Sequence, residues 1–570
     1  MTATKDSIQY QRTFLSNDFE LKNWEDIKSY YDDLVERPID DEKTFMQWLR
    51  DWSELSAIVS EDAGWRYIKM TINTADEEAA ERYNHFVKAI NPKLQKVEND
   101  LNQKLVQSPF FKKYKEEDPY RISFKNIETS IRLFREENLE LQAQINSKSS
   151  EYGNITGAMQ IQYDDKELTM QQAAQYLKKQ DESIRKEVYE RMQERRLEDT
   201  DKLDTLFDEL LALRHQVAVN AGFDNFRDYM FESMGRFDYT PDDCFAFHES
   251  IEKEIVPVLR KIEEKKLEKM GKERFRPWDL SVDPEGREPL EPFQKVEELI
   301  AKSITIFDKI NPDFGNVIRM MDERKHLDLD SRNNKAPGGY NYPLYESNLP
   351  FIFMNAVGSH SDLITMMHEG GHAIHSVLTK DLELTDFKSL TSEIAELASM
   401  SMELISMDYW NEFYNDNDLF RAKQDQFERV LEVLPWVATV DSFQHWIYTH
   451  PNQTREERTK AWLECFNRFS TGLIDWSGYE LSLKHSWHKQ LHIFEVPFYY
   501  IEYGMAQLGA VAVWKNYKEH PEKALQQYKD ALSLGYTKSI PEVYEAAGIV
   551  FDFSTDYVSE LASFLQNEME

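Results

Sequence analysis

Apolar positions recur every three or four residues along most of the chain, the period of a helix with one buried face. The clearest early case runs from Asp76 to Val106. There Ala80, Tyr83, Phe86, Val87, Ile90, Leu94, Val97, Leu101 and Leu105 form one stripe, and charged residues fill the other faces. Pro92 falls inside this stripe; it has no N–H and a fixed φ, so it predicts a kink or a split into two helices. Trp24, Trp48, Trp52 and Trp65 lie in the same helical region and are expected in its core. The pattern lapses over 147–154, and 158–163 reads as a short strand, which marks the neighbourhood of a lobe boundary. We draw it between an N-terminal helical lobe, 1–190, and a second domain, 191–570. Helical periodicity resumes at Met170. Residues 271–293, with four prolines and Gly286, read as loop. Residues 327–357 read as two or three short strands joined by Gly/Pro turns. An extended ligand can add a strand to such a sheet, and a plain hairpin fits equally well. Beyond residue 361 the chain is helical nearly to its end.

Composition agrees with long helices. The 570 residues include only 19 glycines and 19 prolines, few for a turn-rich β protein, and 41% are hydrophobic, enough for a large core. Lys and Arg number 68 against 103 Asp and Glu, a formal charge of −35. Such a field repels polyphosphate and anionic lipid, so neither nucleic acid nor a membrane surface is expected as a partner. No apolar run reaches the roughly 18–20 residues of a membrane span. The N-terminal residues lack the apolar core of a signal peptide. Two cysteines, Cys244 and Cys465, cannot form a disulfide framework, and a reducing, cytoplasmic location is expected. No oligomeric state follows from the sequence.

One segment carries chemistry. His368-Glu369-Gly370-Gly371-His372 lies within a helical pattern from Asp362 to Leu378. Positions four apart on a helix share a face, so His368 and His372 can converge on one tetrahedral ion. Glu369 then sits beside the ion, where the base for a metal-bound water belongs. At this composition the pattern arises by chance roughly 0.03 times per chain, so it outweighs the bland reading of two unrelated histidines. Each glycine costs about 1 kcal/mol relative to alanine in a helix, so two in succession imply close approach of another backbone or a ligand. A third protein ligand is needed. The following helix offers Glu393, Glu396 and Glu403 on one face, costly in an apolar helix unless paired or metal-bound. Spacing alone does not choose among them. His375, three residues past His372, is suited either to contact substrate or to a structural hydrogen bond.

The segment His368-Glu369-Gly370-Gly371-His372-Ala373-Ile374-His375, with Glu396-Leu397-Ala398-Ser399-Met400, resembles the thimet oligopeptidase and oligoendopeptidase F family of zinc peptidases, and within it the bacterial oligoendopeptidase F (Pz-peptidase) branch. Ala218, Gly222-Phe223, Trp278-Asp279-Leu280, 535–541 and Ala547-Gly548 also fit, so the resemblance spans about 200–555; residues 1–190 match only in being helical. The resemblance implies a mostly helical, two-lobed clamshell around a deep channel, with a small β-sheet beside the zinc helix. It implies one Zn²⁺ per chain on His368, His372 and Glu396, selecting Glu396 as third ligand, with Glu403 as a supporting acid. It implies an endopeptidase of short, unstructured peptides, with Glu369 as general base. The segment 492–503 matches the family's oxyanion-stabilising groups, giving Tyr503 first, Tyr500 second, and His492. Tyr340 and Asn355 match a segment lying along the substrate. A zinc carboxypeptidase of the same clan and a non-catalytic peptide-binding scaffold are the alternatives.

Overall fold

The amphipathic stripes fold as helices. The computed structural model describes residues 12–569, and 70% of these described residues are helical. The stripe around Pro92 becomes the helix Glu77–His85, a π-helical turn Phe86–Ile90 and the helix Asn91–Gln107, with the proline in the first turn of the last, where its missing N–H costs nothing. One expected break is absent. The helix Glu137–Gly157 runs straight through 147–154, because serines and Gly153 are tolerated where the apolar spacing of Ile145 and Tyr152 anchors the helix on both sides.

The chain forms two compact units, each assembled from three segments. The first comprises Met1–Ile131, Leu290–Lys423 and Gly509–Phe551; the second comprises Arg132–Pro289, Gln424–Leu508 and Asp552–Glu570. These units cut across the boundary drawn at 190. The physical reason lies in the first unit. Its N-terminal helices bury Trp48, Trp52, Leu55 and Leu101 in a core that also contains Leu384 and Phe387, which cap and occupy the short helix Thr385–Lys388 after the motif helix. Residues 132–190, by contrast, pack in the second unit, where Asn138 Nδ2 donates to the Val217 carbonyl (3.1 Å).

Five short strands are present among the described residues. β1 (Gln160–Tyr163) and β2 (Lys166–Thr169) form an antiparallel hairpin in the second unit. β3 (Leu327–Asp330), β4 (Tyr340–Tyr342) and β5 (Phe351–Ala356) form a sheet in the first, in the order β3-β5-β4. β5 is central, parallel to β3 and antiparallel to β4, with Tyr340 opposite Phe353. The long helix Glu42–Ile72 supports this sheet: Ile68 packs with Leu344, Phe351 and Phe353. β4 is therefore an edge strand. β5 leads through Gly358, at φ +99°, into the motif helix; a side chain there would be strained and would also meet the Phe293 carbonyl.

Candidate active site

The motif helix is His360–Leu378. It begins with a capping box: the Ser359 hydroxyl accepts from the Asp362 N–H, and the Asp362 carboxylate accepts from the Ser359 N–H (2.8 Å). Its tandem glycines have the role their cost implied. A Cβ on Gly371 would lie 2.7 Å from Ser399 Cα and 2.9 Å from the Ala398 carbonyl, and one on Gly370 would strike the Phe307 ring. The neighbouring helix, Ser392–Ser406, can therefore lie directly against the motif helix only because position 371 has no side chain.

That close approach brings the donors together. Donor atoms of His368, His372 and Glu396 all lie within 4.8 Å of one another. Glu396 Oε2 is 3.3 Å from His368 Nε2 and 3.7 Å from His372 Nε2. The Ser399 hydroxyl donates to the same oxygen (3.1 Å) and orients it. On the far side of the first imidazole, His368 Nδ1 donates to Glu403 Oε1 (2.7 Å). Glu396 and Glu403, seven residues apart, thus address the two nitrogens of one ring, a pairing that fixes both its tautomer and its orientation. Glu393, equally possible by spacing, is buried but not among the converging donors.

Electrostatics follows from this packing. Burial pushes the Glu396 carboxyl up, but His368, His372 and Ser399 outweigh it and hold it at about 2. Burial and the adjacent His368 hold His372 down at about 4. Burial lowers His368 too, yet its two carboxylate partners override it and raise the ring well above its ordinary value. Burial lifts the Glu369 carboxyl to about 7, with Glu396 and Glu403 adding to the rise and His368 opposing it. Two imidazole nitrogens and an ionised carboxylate are a donor set that Zn²⁺ takes, and the negative potential that draws a proton onto His368 suits a dication. Glu369 is 6% exposed, and its Oε2 is buried without a hydrogen-bond partner. A carboxylate oxygen so placed is open to a proton or to a further donor.

The remaining expected residues fall elsewhere. His375 is buried, and burial with His372 holds it at about 3; it is not among the converging donors. The Tyr340 hydroxyl is engaged with Thr71 Oγ1 (2.6 Å), and its ring stacks on Phe353 (4.8 Å). Asn355 Nδ2 donates to the Ala336 and Gly338 carbonyls (2.8 and 2.9 Å). Both side chains visibly hold the sheet and its turn. Asn341 on β4, which the sequence did not single out, donates to the Glu369 carbonyl (3.3 Å) and so ties the edge strand to the motif helix. His492, Tyr500 and Tyr503 belong to the second unit. They are brought together there, with the His492 ring 4.7 Å from Tyr500 and 5.8 Å from Tyr503, and Gln490 Nε2 bonded to His492 Nδ1 (2.7 Å). Two buried arginines brace this stretch: Arg214 donates to the Ile493 (3.2 Å) and Phe494 carbonyls, and Arg236 to the Phe498 carbonyl and to Glu502 (2.7 Å).

The chain is similar to known peptidases. Residues 175–563 match the model of peptidase family M3, and residues 14–134 match the peptidase M3 N-terminal domain. The plasmid-borne oligoendopeptidase F of Lactococcus lactis subsp. cremoris is 23% identical over 290 residues, 48% of this chain and 45% of that one. The oligopeptidase PepF of Bacillus subtilis (strain 168) is 22% identical over 246 residues, 42% and 36% respectively. The matched stretches thus span less than half the length of these relatives. The solved structure of Pz peptidase A with an inhibitor superposes with a TM-score of 0.90 at 26% identity, covering 97% of this chain and 98% of that one. The family match covers well over half of the sequence, and the chain therefore belongs to peptidase family M3, on its oligoendopeptidase F branch.

Proposed function

We propose that the protein is a zinc-dependent endopeptidase that hydrolyses internal bonds of short, unstructured oligopeptides in the cytoplasm. The observation that carries this reading is the convergence of His368, His372 and Glu396 beside the unpartnered carboxylate oxygen of Glu369. The names of the relatives, oligoendopeptidase F and PepF, support the substrate class. Among the described residues no helix is long and apolar enough to cross a membrane, and neither cysteine is in a disulfide.

In this mechanism His368, His372 and Glu396 would hold one Zn²⁺, which when bound would supply Lewis-acid polarisation of the scissile carbonyl and lower the pKa of water. Glu369 Oε2 takes the proton of the attacking water and passes it to the leaving amine. Glu403 fixes His368 through Nδ1, and Ser399 fixes Glu396. The edge strand β4 offers backbone groups to an extended peptide, with Tyr340 and Asn355 keeping that strand in place. Tyr503, seconded by Tyr500, and His492 are assigned to the oxyanion on the family resemblance, where one lost donor typically costs 10²–10³-fold in turnover.

Glu369→Gln preserves the shape of the side chain and removes the base. The variant should retain its zinc and lose nearly all turnover on quenched fluorescent peptides; an active Glu369→Gln enzyme would sink the scheme. Peptides amidated at the C-terminus should be cut as readily as free ones, since loss of cleavage there would favour a carboxypeptidase. Binding without cleavage, and without metal, would favour a scaffold.

A further inference from the structure

The second unit contains a polar cluster that the proposed peptidase chemistry does not use. Cys244 and His248 lie four residues apart on the helix Pro241–Ser250, and Asp441 and His445 lie four residues apart on the helix Asp416–Thr449. Each pair shares one helix face by its spacing, and the two pairs meet. Donor atoms of Cys244, Asp441 and His445 all lie within 4.8 Å of one another. All four residues are buried: Cys244 and Asp441 show no exposure, and His248 and His445 only 1% and 3%. The surroundings are apolar. The His445 ring is 4.8 Å from Phe245 and 5.5 Å from Phe498, and the His248 ring is 6.0 Å from Phe469.

A structural account through hydrogen bonds leaves too much over. His248 Nε2 donates to Asp441 Oδ2 (2.8 Å), which satisfies one carboxylate oxygen. Asp441 Oδ1 and both ring nitrogens of His445 are buried with no hydrogen-bond partner, although His445 Nε2 lies 3.2 Å from Asp441 Oδ2. Orphaned polar atoms at one buried point are costly, and native proteins seldom leave them so.

We propose that the second unit carries a metal site of its own, in which Cys244 Sγ, Asp441 Oδ1 and His445 bind a divalent, borderline-soft cation of the Zn²⁺ type. His248 holds the carboxylate by its other oxygen, the role an outer hydrogen bond plays at metal centres. The charges close: one thiolate and one carboxylate balance a dication inside an apolar shell. The mixed S, N, O set selects zinc or cobalt over calcium or magnesium. The ion fastens two helices that are far apart in sequence, and through His445 it supports Phe498, whose N–H is held by Gln444 Oε1 (3.0 Å).

The test uses cobalt as the probe. The full chain, stripped of metal and reloaded with Co²⁺, should show a thiolate-to-cobalt charge-transfer band in the near ultraviolet, a signature the His368/His372/Glu396 site cannot give. The band should vanish in Cys244→Ser and persist in Cys465→Ser. It should also persist in a His368→Ala/His372→Ala variant, which strips the first unit's donors and separates this site from that one. Zinc content should fall by one equivalent per chain in Cys244→Ser. Absence of the band in the wild-type chain, which needs no variant to fold, or its survival in Cys244→Ser, would overturn the assignment.

Discussion

Gly371→Ala is the sharpest test of how the fold builds the first-unit site. The added methyl would lie 2.7 Å from Ser399 Cα, about 0.7 Å short of the 3.4 Å at which ordinary contact begins. The obstacle is backbone, so it cannot rotate away, and the two helices must part by that amount or tilt. Two energies compete. Alanine gains about 1 kcal/mol of helix propensity over glycine, and overpacking costs about 1–3 kcal/mol, so the net stability loss is at most about 2 kcal/mol. The functional loss is larger. His368 and His372 ride on one helix and Glu396 on the other, whereas a metal site tolerates only about ±0.2 Å in its bonds. We expect metal affinity to fall by about 10–100-fold, the range seen when support around ligands is lost. Turnover should fall with it, and the melting temperature should change little. Gly370→Ala is the matched control, since its methyl strikes the Phe307 ring and not the ligand-bearing helix. It should cost stability and spare affinity. Competition against a chromophoric chelator measures both. Wild-type affinity in Gly371→Ala, or a larger affinity loss in Gly370→Ala, would refute the reasoning.

Glu403→Ala should weaken metal binding about 10–100-fold while leaving the fold intact, because it frees His368 Nδ1; unchanged affinity by chelator competition would count against the bond's importance. Glu98 accepts from Tyr31 and Trp52 (both 3.0 Å), and burial, aided by Asp386, raises its carboxyl from 4.5 to about 7. The folded state therefore holds a proton that the unfolded state has released, and stability is lost as pH rises from about 4.5 to 7, by about 3 kcal/mol. Glu98→Gln should unfold like wild type at pH 4 and resist denaturant better at pH 8; equal midpoints at pH 8 would remove the argument. Arg236→Ala leaves Glu502 buried without its cation, which should cost about 3–5 kcal/mol and lower turnover if the 492–503 stretch acts in catalysis. Arg236→Met paired with Glu502→Leu should recover much of the stability by thermal unfolding, and failure to recover would point to a role beyond the charge pair.

Features that depend on local spacing were legible in the sequence. The split at Pro92, the short strands of 327–357 and the helix carrying His368 and His372 all follow from period, φ restriction and Gly/Pro content. Even the packing of Gly371 against another backbone was foreshadowed by its helix cost. Features that depend on which distant face meets which were not legible. Nothing local marks Leu384 and Phe387 as members of the N-terminal helical core, so the compact units could not be drawn from composition shifts. Serines over 147–150 read as a break because propensity is weak against the tertiary packing of one helix face. The choice of Glu396 over Glu393 needed the family resemblance. The Cys244/His248 and Asp441/His445 pairs each had helical spacing, but their meeting joins positions almost two hundred residues apart and became visible only in three dimensions.

The interleaving of the two units has a consequence for biosynthesis. The first unit includes Gly509–Phe551 and the second Asp552–Glu570, so each draws together segments that are made at well-separated times. The motif helix and its partner helix are made well before the strand of chain that completes their unit: Tyr528, which donates to the Ala398 carbonyl beside Gly371 (2.8 Å), arrives late. In a nascent chain of this design such long-range contacts are deferred until the later segment emerges. The helix pair that carries His368, His372 and Glu396 thus gains the Tyr528 hydrogen bond only after a further 130 residues have been made.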